Sequence, residues 1–106
     1  MSIPPSRRNS SVQSKAGTYL GFCRRAGKLT LGVNAARATR EKVYLLVADV
    51  SASENCKKEI AKLAEKFGCD IVWLEQLSEL VGKEMCKLAA VREEHLAEAI
   101  RKASEG

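Results

Sequence analysis

No CxxC pair, no glycine-rich phosphate motif, no second histidine and no long apolar run occur in these 106 residues. Each absence removes a class of function. The longest uninterrupted apolar stretch, Val43 to Ala48, is six residues, against the roughly 20 that a bilayer-crossing helix requires. No charged segment leads into an apolar one at the start, so neither a membrane protein nor a secreted one is expected, and the compartment is expected to be the cytoplasm. The four cysteines, Cys23, Cys56, Cys69 and Cys86, lie far apart, and the one histidine is His95; zinc and dithiol redox chemistry therefore lack their spacing signatures. Each cysteine falls in an apolar pattern and reads as a small core residue in a reducing compartment. Without GxGxxG or GxxxxGKS/T, no cradle for a nucleotide phosphate is announced. His95 stands beside Glu93 and Glu94 at a helix start, where carboxylates complement the helix dipole rather than form a catalytic pair. No nucleophile, base and oxyanion donor can be assigned together, so an enzyme is not expected.

Acids are scarce in one half only. Residues 1–48 hold nine Lys or Arg and a single acid, Glu41, a net of +8, whereas residues 49–106 hold nine basic and twelve acidic residues, a net of −3. The overall +5 thus belongs to the first half. Concentrated positive charge points to a polyanionic partner, with a solvated, solubilising surface as the alternative. An apolar fraction of 45% in a chain of this length supports one core and one domain.

The beginning of the chain has little to bury: Met1 to Val12 carry both prolines, four serines and two arginines, so residues 1–13 read as a disordered basic tail and 14–106 as a single α/β domain. From Ser14, Ala16, Tyr19, Leu20, Cys23 and Ala26 keep helical spacing up to Gly27. Leu29 to Leu31 alternates as a short strand, and Gly32 opens a second helix from Val33 to about Glu41. Tyr44 to Ala48 is a continuous β-favouring run and should be the central strand. Ser53 is a candidate N-cap for a helix whose apolar stripe is Cys56, Ile60, Leu63, Ala64 and Phe67, ending at Gly68. A strand over Ile71 to Leu74, a short helix over Leu77 to Val81, a strand over Met85 to Val91 and a last helix through Leu96, Ala99, Ile100 and Ala103 complete the pattern. Glu54, Glu59 and Glu65 should mark the solvent side of the long helix. Alternating helices and strands imply a three-layer α-β-α sandwich around a four-stranded mixed sheet.

One segment combines features that chemistry uses. Arg24, Arg25 and Lys28 form a basic cluster, Gly32 lets a backbone approach closely, Asn34 offers donor and acceptor to a base edge or sugar, and Arg37 and Arg40 continue the positive surface. A plain strand-to-helix turn is the simpler reading of that segment alone.

Three landmarks taken together resemble a family: Arg25-x-Gly27-Lys28-Leu29-x-x-Gly32-x-Asn34, then Lys42 to Asp49, then Leu77-x-x-x-x-Gly82-Lys83-Glu84. In order and spacing, from about Ser14 to Ile100, they are similar to the kink-turn RNA-binding ribosomal proteins, the L-seven-Ae and L-thirty-e group. The resemblance implies an α-β-α sandwich, no catalytic activity, no metal or cofactor, and recognition of RNA bent at a bulge flanked by G·A pairs. It assigns the G·A pairs and nearby backbone to Gly32, Val33 and Asn34, and the bulged nucleotides to Gly82, Lys83, Glu84 and Met85. Arg25, Lys28 and Arg37 then supply cations where two RNA backbones converge, and Met85 a polarizable platform for splayed bases. The implied partner is structured RNA, ribosomal or another kink-turn RNA, with the ribosome itself as a further partner and the chain a monomer. The chain departs from the family pattern at Ala35, Ala38, Ala48 and Gln76-Leu77-Ser78, and these departures favour the alternative, a protein-interaction module that has lost specific RNA binding.

Overall fold

The computed structural model describes residues 5–105, with side chains over 15–103. Nine elements follow one another: α1 (Pro5–Arg25), β1 (Leu29–Leu31), α2 (Val33–Ala38), β2 (Leu45–Asp49), α3 (Glu54–Phe67), β3 (Asp70–Leu74), α4 (Leu77–Val81), β4 (Leu88–Val91) and α5 (Glu94–Glu105). The strands form one sheet in the order β1-β4-β2-β3. The sheet is mixed: β2 runs parallel to β3 with Leu45 opposite Asp70, while β4 is antiparallel to both β1 and β2.

Period-two alternation sorts the strands into two cores. Leu45, Val47, Ala89 and Val91 face α1, α4 and α5, meeting Ala16, Leu20, Cys23, Leu77, Val81 and Ile100. Leu46, Ala48, Leu88 and Ala90 face the other way, onto Ala36 of α2 and Ile60 and Leu63 of α3. Every residue of β2 and β4 is buried, as a strand covered on both sides requires. Removing one leucine such as Leu46 from water contributes about 1.5–3 kcal/mol. The expected sandwich and mixed sheet are the observed ones.

The ends of the elements show where local chemistry overrides pattern. Ser53 caps α3, its hydroxyl accepting from the Cys56 amide at 3.2 Å, and Gly68 closes it in a left-handed conformation. Gly27 does the same for α1, with Lys28 N–H donating to the Cys23 carbonyl at 2.9 Å. α1 begins at Pro5 rather than Ser14, so residues 5–13 of the expected tail continue the helix; residues 1–4 lie outside the described residues. Proline suits a first helical turn, and extending a helix already anchored through Ala16 and Leu20 needs no new nucleus. α2 stops at Ala38, short of Glu41, because β-branched Thr39 turns extended, with φ −68° and ψ 139°. β4 starts at Leu88 rather than Met85, since Met85 is left-handed at φ 56° and cannot join a ladder.

Cys23 and Cys86 are buried in the first core, whereas Cys56 and Cys69 are half-buried against the second. Burial pushes the thiols of Cys23, Cys69 and Cys86 up, which keeps them protonated. His95 is exposed beside Glu93, whose carboxylate accepts from the Leu96 amide at 2.6 Å at the start of α5. Among the described residues no helix is long and apolar enough to cross a membrane.

Candidate nucleic-acid interface

β1 and β4 are antiparallel, so the end of one lies beside the start of the other. That register brings the two segments that the sequence singles out to one end of the sheet: the Gly32 amide donates at 2.8 Å to the carbonyl of Leu88, the residue that opens β4 just after the second segment. Gly32 itself sits at φ 95° and ψ 151°, a region open essentially to glycine alone. A Cβ built there would meet nothing within 4 Å, so the Cα of Gly32 has open space beside it, while its N–H and carbonyl are engaged by Leu88 and Ala36. Val33 then turns inward against the second core while Asn34 is exposed. Arg37 lies one turn further, also exposed.

Across from this turn, Gly82, Lys83, Glu84 and Met85 form a loop with every residue exposed. Gly82 ends α4 at φ 71°, and a Cβ there would come within 2.9 Å of Arg24 Nη1. The Arg24 guanidinium in turn bonds the Val81 carbonyl, tying the end of α1 to the base of the loop. The loop is closed by Ser78: the Cys86 amide donates to Ser78 Oγ at 2.8 Å, and that hydroxyl donates back to the Cys86 carbonyl at 3.2 Å. Met85 is held out at the tip, 88% exposed and at positive φ, a combination that costs energy in a bulky residue and gains nothing in packing.

A buried carboxylate organises the floor. Asp49, 4% exposed at the end of β2, accepts from the Ser51 amide at 2.8 Å, the Ser51 hydroxyl at 2.7 Å and the Leu77 amide at 3.0 Å. Desolvation pushes its pKa up, but those three hydrogen bonds and the charge of Lys87 outweigh it and hold the group below the ordinary carboxylate value. Lys87 completes the floor, its Nζ 2.7 Å from Ser51 Oγ. Asp49, Ser51, Ser78 and Lys87 are not evident as site residues from sequence. The available signal is Asp two positions before Ser directly after an apolar run, the pattern of a turn in which an aspartate caps its own backbone.

The proposed cations divide. Gly32, Val33, Asn34, Gly82, Lys83, Glu84 and Met85 share one end of the sheet. Lys28 does not: the Arg92 amide donates to its carbonyl at 2.8 Å, at the opposite end of β1 from Gly32, roughly 10 Å along the strand. Arg25 folds back on its own helix, its guanidinium 5.0 Å from the Phe22 ring and Nε 3.4 Å from the Gly21 carbonyl. Arg37 is paired, Nη2 to Glu59 Oε2 at 2.6 Å. Glu59 thus lies with Glu54 and Glu65 on the solvent side of α3 as expected, but on the flank next to α2, where Arg37 engages it.

No family model and no curated protein matches the sequence. Among solved structures, a protein of unknown function from Bacillus halodurans superposes with a TM-score of 0.73 at 18% identity, covering 87% of this chain and 98% of the other. A 15.5 kD RNA-binding protein from Giardia lamblia superposes with a TM-score of 0.68 at 13% identity, covering 89% and 85%. Likeness at such identity is likeness of fold: this α-β-α sandwich is one that an RNA-binding protein also uses.

Proposed function

We propose that the chain is a non-catalytic RNA-binding protein of the ribosome or translation apparatus, monomeric and cytoplasmic, that recognises kink-turn-like RNA. The observation that carries this reading is that the Gly32–Asn34 turn and the Gly82–Met85 loop share one end of the sheet, with Gly32 bonded to Leu88 at the start of β4, three residues past the loop. The absence of a side chain at Gly32, beside the exposed Asn34 amide, lets a sugar–phosphate strand and base edges approach closely, and a strained, solvent-held thioether suits a base turned out of its stack. The fold shared with the Giardia RNA-binding protein supports it. Asp49 and Glu93, the described carboxylates with lowered pKa, are engaged in backbone hydrogen bonds and are not poised near neutrality for proton transfer.

A gel-shift titration against a standard kink-turn, beside the same RNA with its G·A pairs replaced, tests the reading. Tighter binding to the intact RNA is expected, and Asn34→Ala should weaken it by about 1 kcal/mol and narrow the difference between the two. Equal, weak binding that vanishes at moderate salt would leave only the non-specific phosphate term, as the alternative of a protein-interaction module requires.

The Arg37–Glu59 pair gives a second expectation. Glu59 occupies the guanidinium that phosphate would use, and an exposed pair of this kind is weak. Glu59→Gln should therefore tighten both RNAs roughly two- to fivefold, within the energy of such a pair. Arg37→Ala should weaken both alike and flatten the dependence of affinity on salt. Titrations across a salt series check both.

A further inference from the structure

The net acidic second half of the chain contains a basic ridge with no carboxylate partner among the described residues. Lys58, Lys62 and Lys66 recur four apart on α3 and all are exposed, which sets them about 6 Å apart along the helix axis. Like charges at this spacing repel. Among the described residues no carboxylate lies within ion-pair distance of any of the three, although Glu54 precedes Lys58 by four and Glu65 adjoins Lys66. The nearest carboxylate toward α2, Glu59, is taken by Arg37. Lys66 instead reaches the Arg37 carbonyl at 3.3 Å and lies 5.5 Å from the Phe67 ring.

The topology fixes where this ridge points. β1 and β2 are both antiparallel to β4, hence parallel to each other, so α2 and α3 both run away from the end of the sheet that holds Gly32 and Met85. Both pack on the same face, through Ala36, Ile60 and Leu63. With 100° between successive residues, the ridge winds toward the Glu59 flank, reaching α2 at Lys66. Lys66 thus lies against α2, and Lys62 and Lys58 lead from it round to the outer face of α3.

We propose that this ridge contacts the backbone phosphates of the helical stem that leaves the kink. The inference rests on reading the Gly32–Asn34 turn and Gly82–Met85 loop as the RNA interface. Flexible ammonium groups in a row suit phosphates, which position a nucleic acid, rather than base edges, which specify it. An RNA strand crossing α2 brings its stem over the ridge, and the mutual repulsion of the lysines is relieved on binding.

The triple variant Lys58→Gln, Lys62→Gln, Lys66→Gln tests it, titrated over a salt series against kink-turn RNA with a long stem and with that stem cut short. In the long-stem RNA the variant should bind about tenfold more weakly near 0.1 M salt, with a log–log salt slope shallower by about 2. The preference for intact over G·A-replaced RNA should be unchanged, and the corresponding Arg triple variant should keep the parental slope. Shortening the stem should weaken the parent but not the Gln variant. A parent that discriminates the two RNAs while the Gln variant keeps its slope overturns the ridge and leaves the kink-turn reading standing. A parent that does not discriminate overturns the kink-turn reading; the ridge is then decided on plain RNA duplex, where a shallower slope for the Gln variant supports it and an equal slope overturns it. Binding to an acidic polypeptide in place of duplex, with RNA slopes equal, also overturns it.

Discussion

Asp49→Ala is expected to lower the unfolding free energy by about 2 kcal/mol, because the buried Leu77 amide loses its acceptor and the part-buried Ser51 amide loses its own. The Leu77 amide is the deeper of the two, at the first turn of α4, and the Ser51 amide closes the turn after β2. Asp49→Asn keeps the shape and one acceptor but turns an amide group toward a donor, so about half that loss is expected. Urea titrations at neutral pH measure both. The pH dependence carries a sign. Since Asp49 is held below its ordinary value in the folded chain, its contribution is fully present above the unfolded-state value near 4 and is lost as pH falls through the folded value. The advantage of the parent over Asp49→Asn should shrink on acidification from about pH 5 downward. Glu93 is also lowered, by the Leu96 amide first, but it is common to both proteins and cancels in the comparison. An advantage that stays constant to pH 2 would place the Asp49 effect in packing and not in charge.

Met85→Gly should move stability and binding in opposite directions. A left-handed conformation costs a bulky residue roughly 1–2 kcal/mol, and glycine recovers this less about 0.4–1 kcal/mol of added freedom in the unfolded chain. With Met85 88% exposed, almost no burial is forfeited. The unfolding free energy is therefore expected to rise by about 0.5–1 kcal/mol, while affinity for kink-turn RNA falls tenfold or more if the thioether supports an unstacked base. A variant that gains stability and keeps its affinity would show that Met85 is strained for some other purpose. Denaturant titration and gel shift on the same preparation give both numbers.

Much of the fold is legible in the residues. The apolar run before Asp49 can only be a strand covered on both sides, and Ser53, the Ile60–Leu63 stripe and Gly68 declare a helix with its two ends. The illegible parts depend on backbone conformations and partners that no local pattern records. Thr39 ends α2 early, and Met85 is excluded from β4 by its φ. Of the candidate site, the Gly32–Asn34 and Gly82–Met85 segments are proposed from their residue pattern, and their position at one end of the sheet follows from the antiparallel register of β1 and β4. Lys28 counts toward a basic cluster along the chain and falls at the far end of a strand in space. Arg37 reads as a free cation until Glu59, distant in sequence, is found against it.

The double hydrogen bond between Ser78 and Cys86 separates two duties that usually compete. By pinning the base of the loop with backbone and one hydroxyl, it leaves the side chains of Lys83, Glu84 and Met85 free of packing, while the Lys83 amide still closes α4 on the Ser78 carbonyl at 3.1 Å. Those three positions form an exchangeable cassette. Substitutions of their side chains can change what the loop tip presents without disturbing the core, because Ser78 holds the frame.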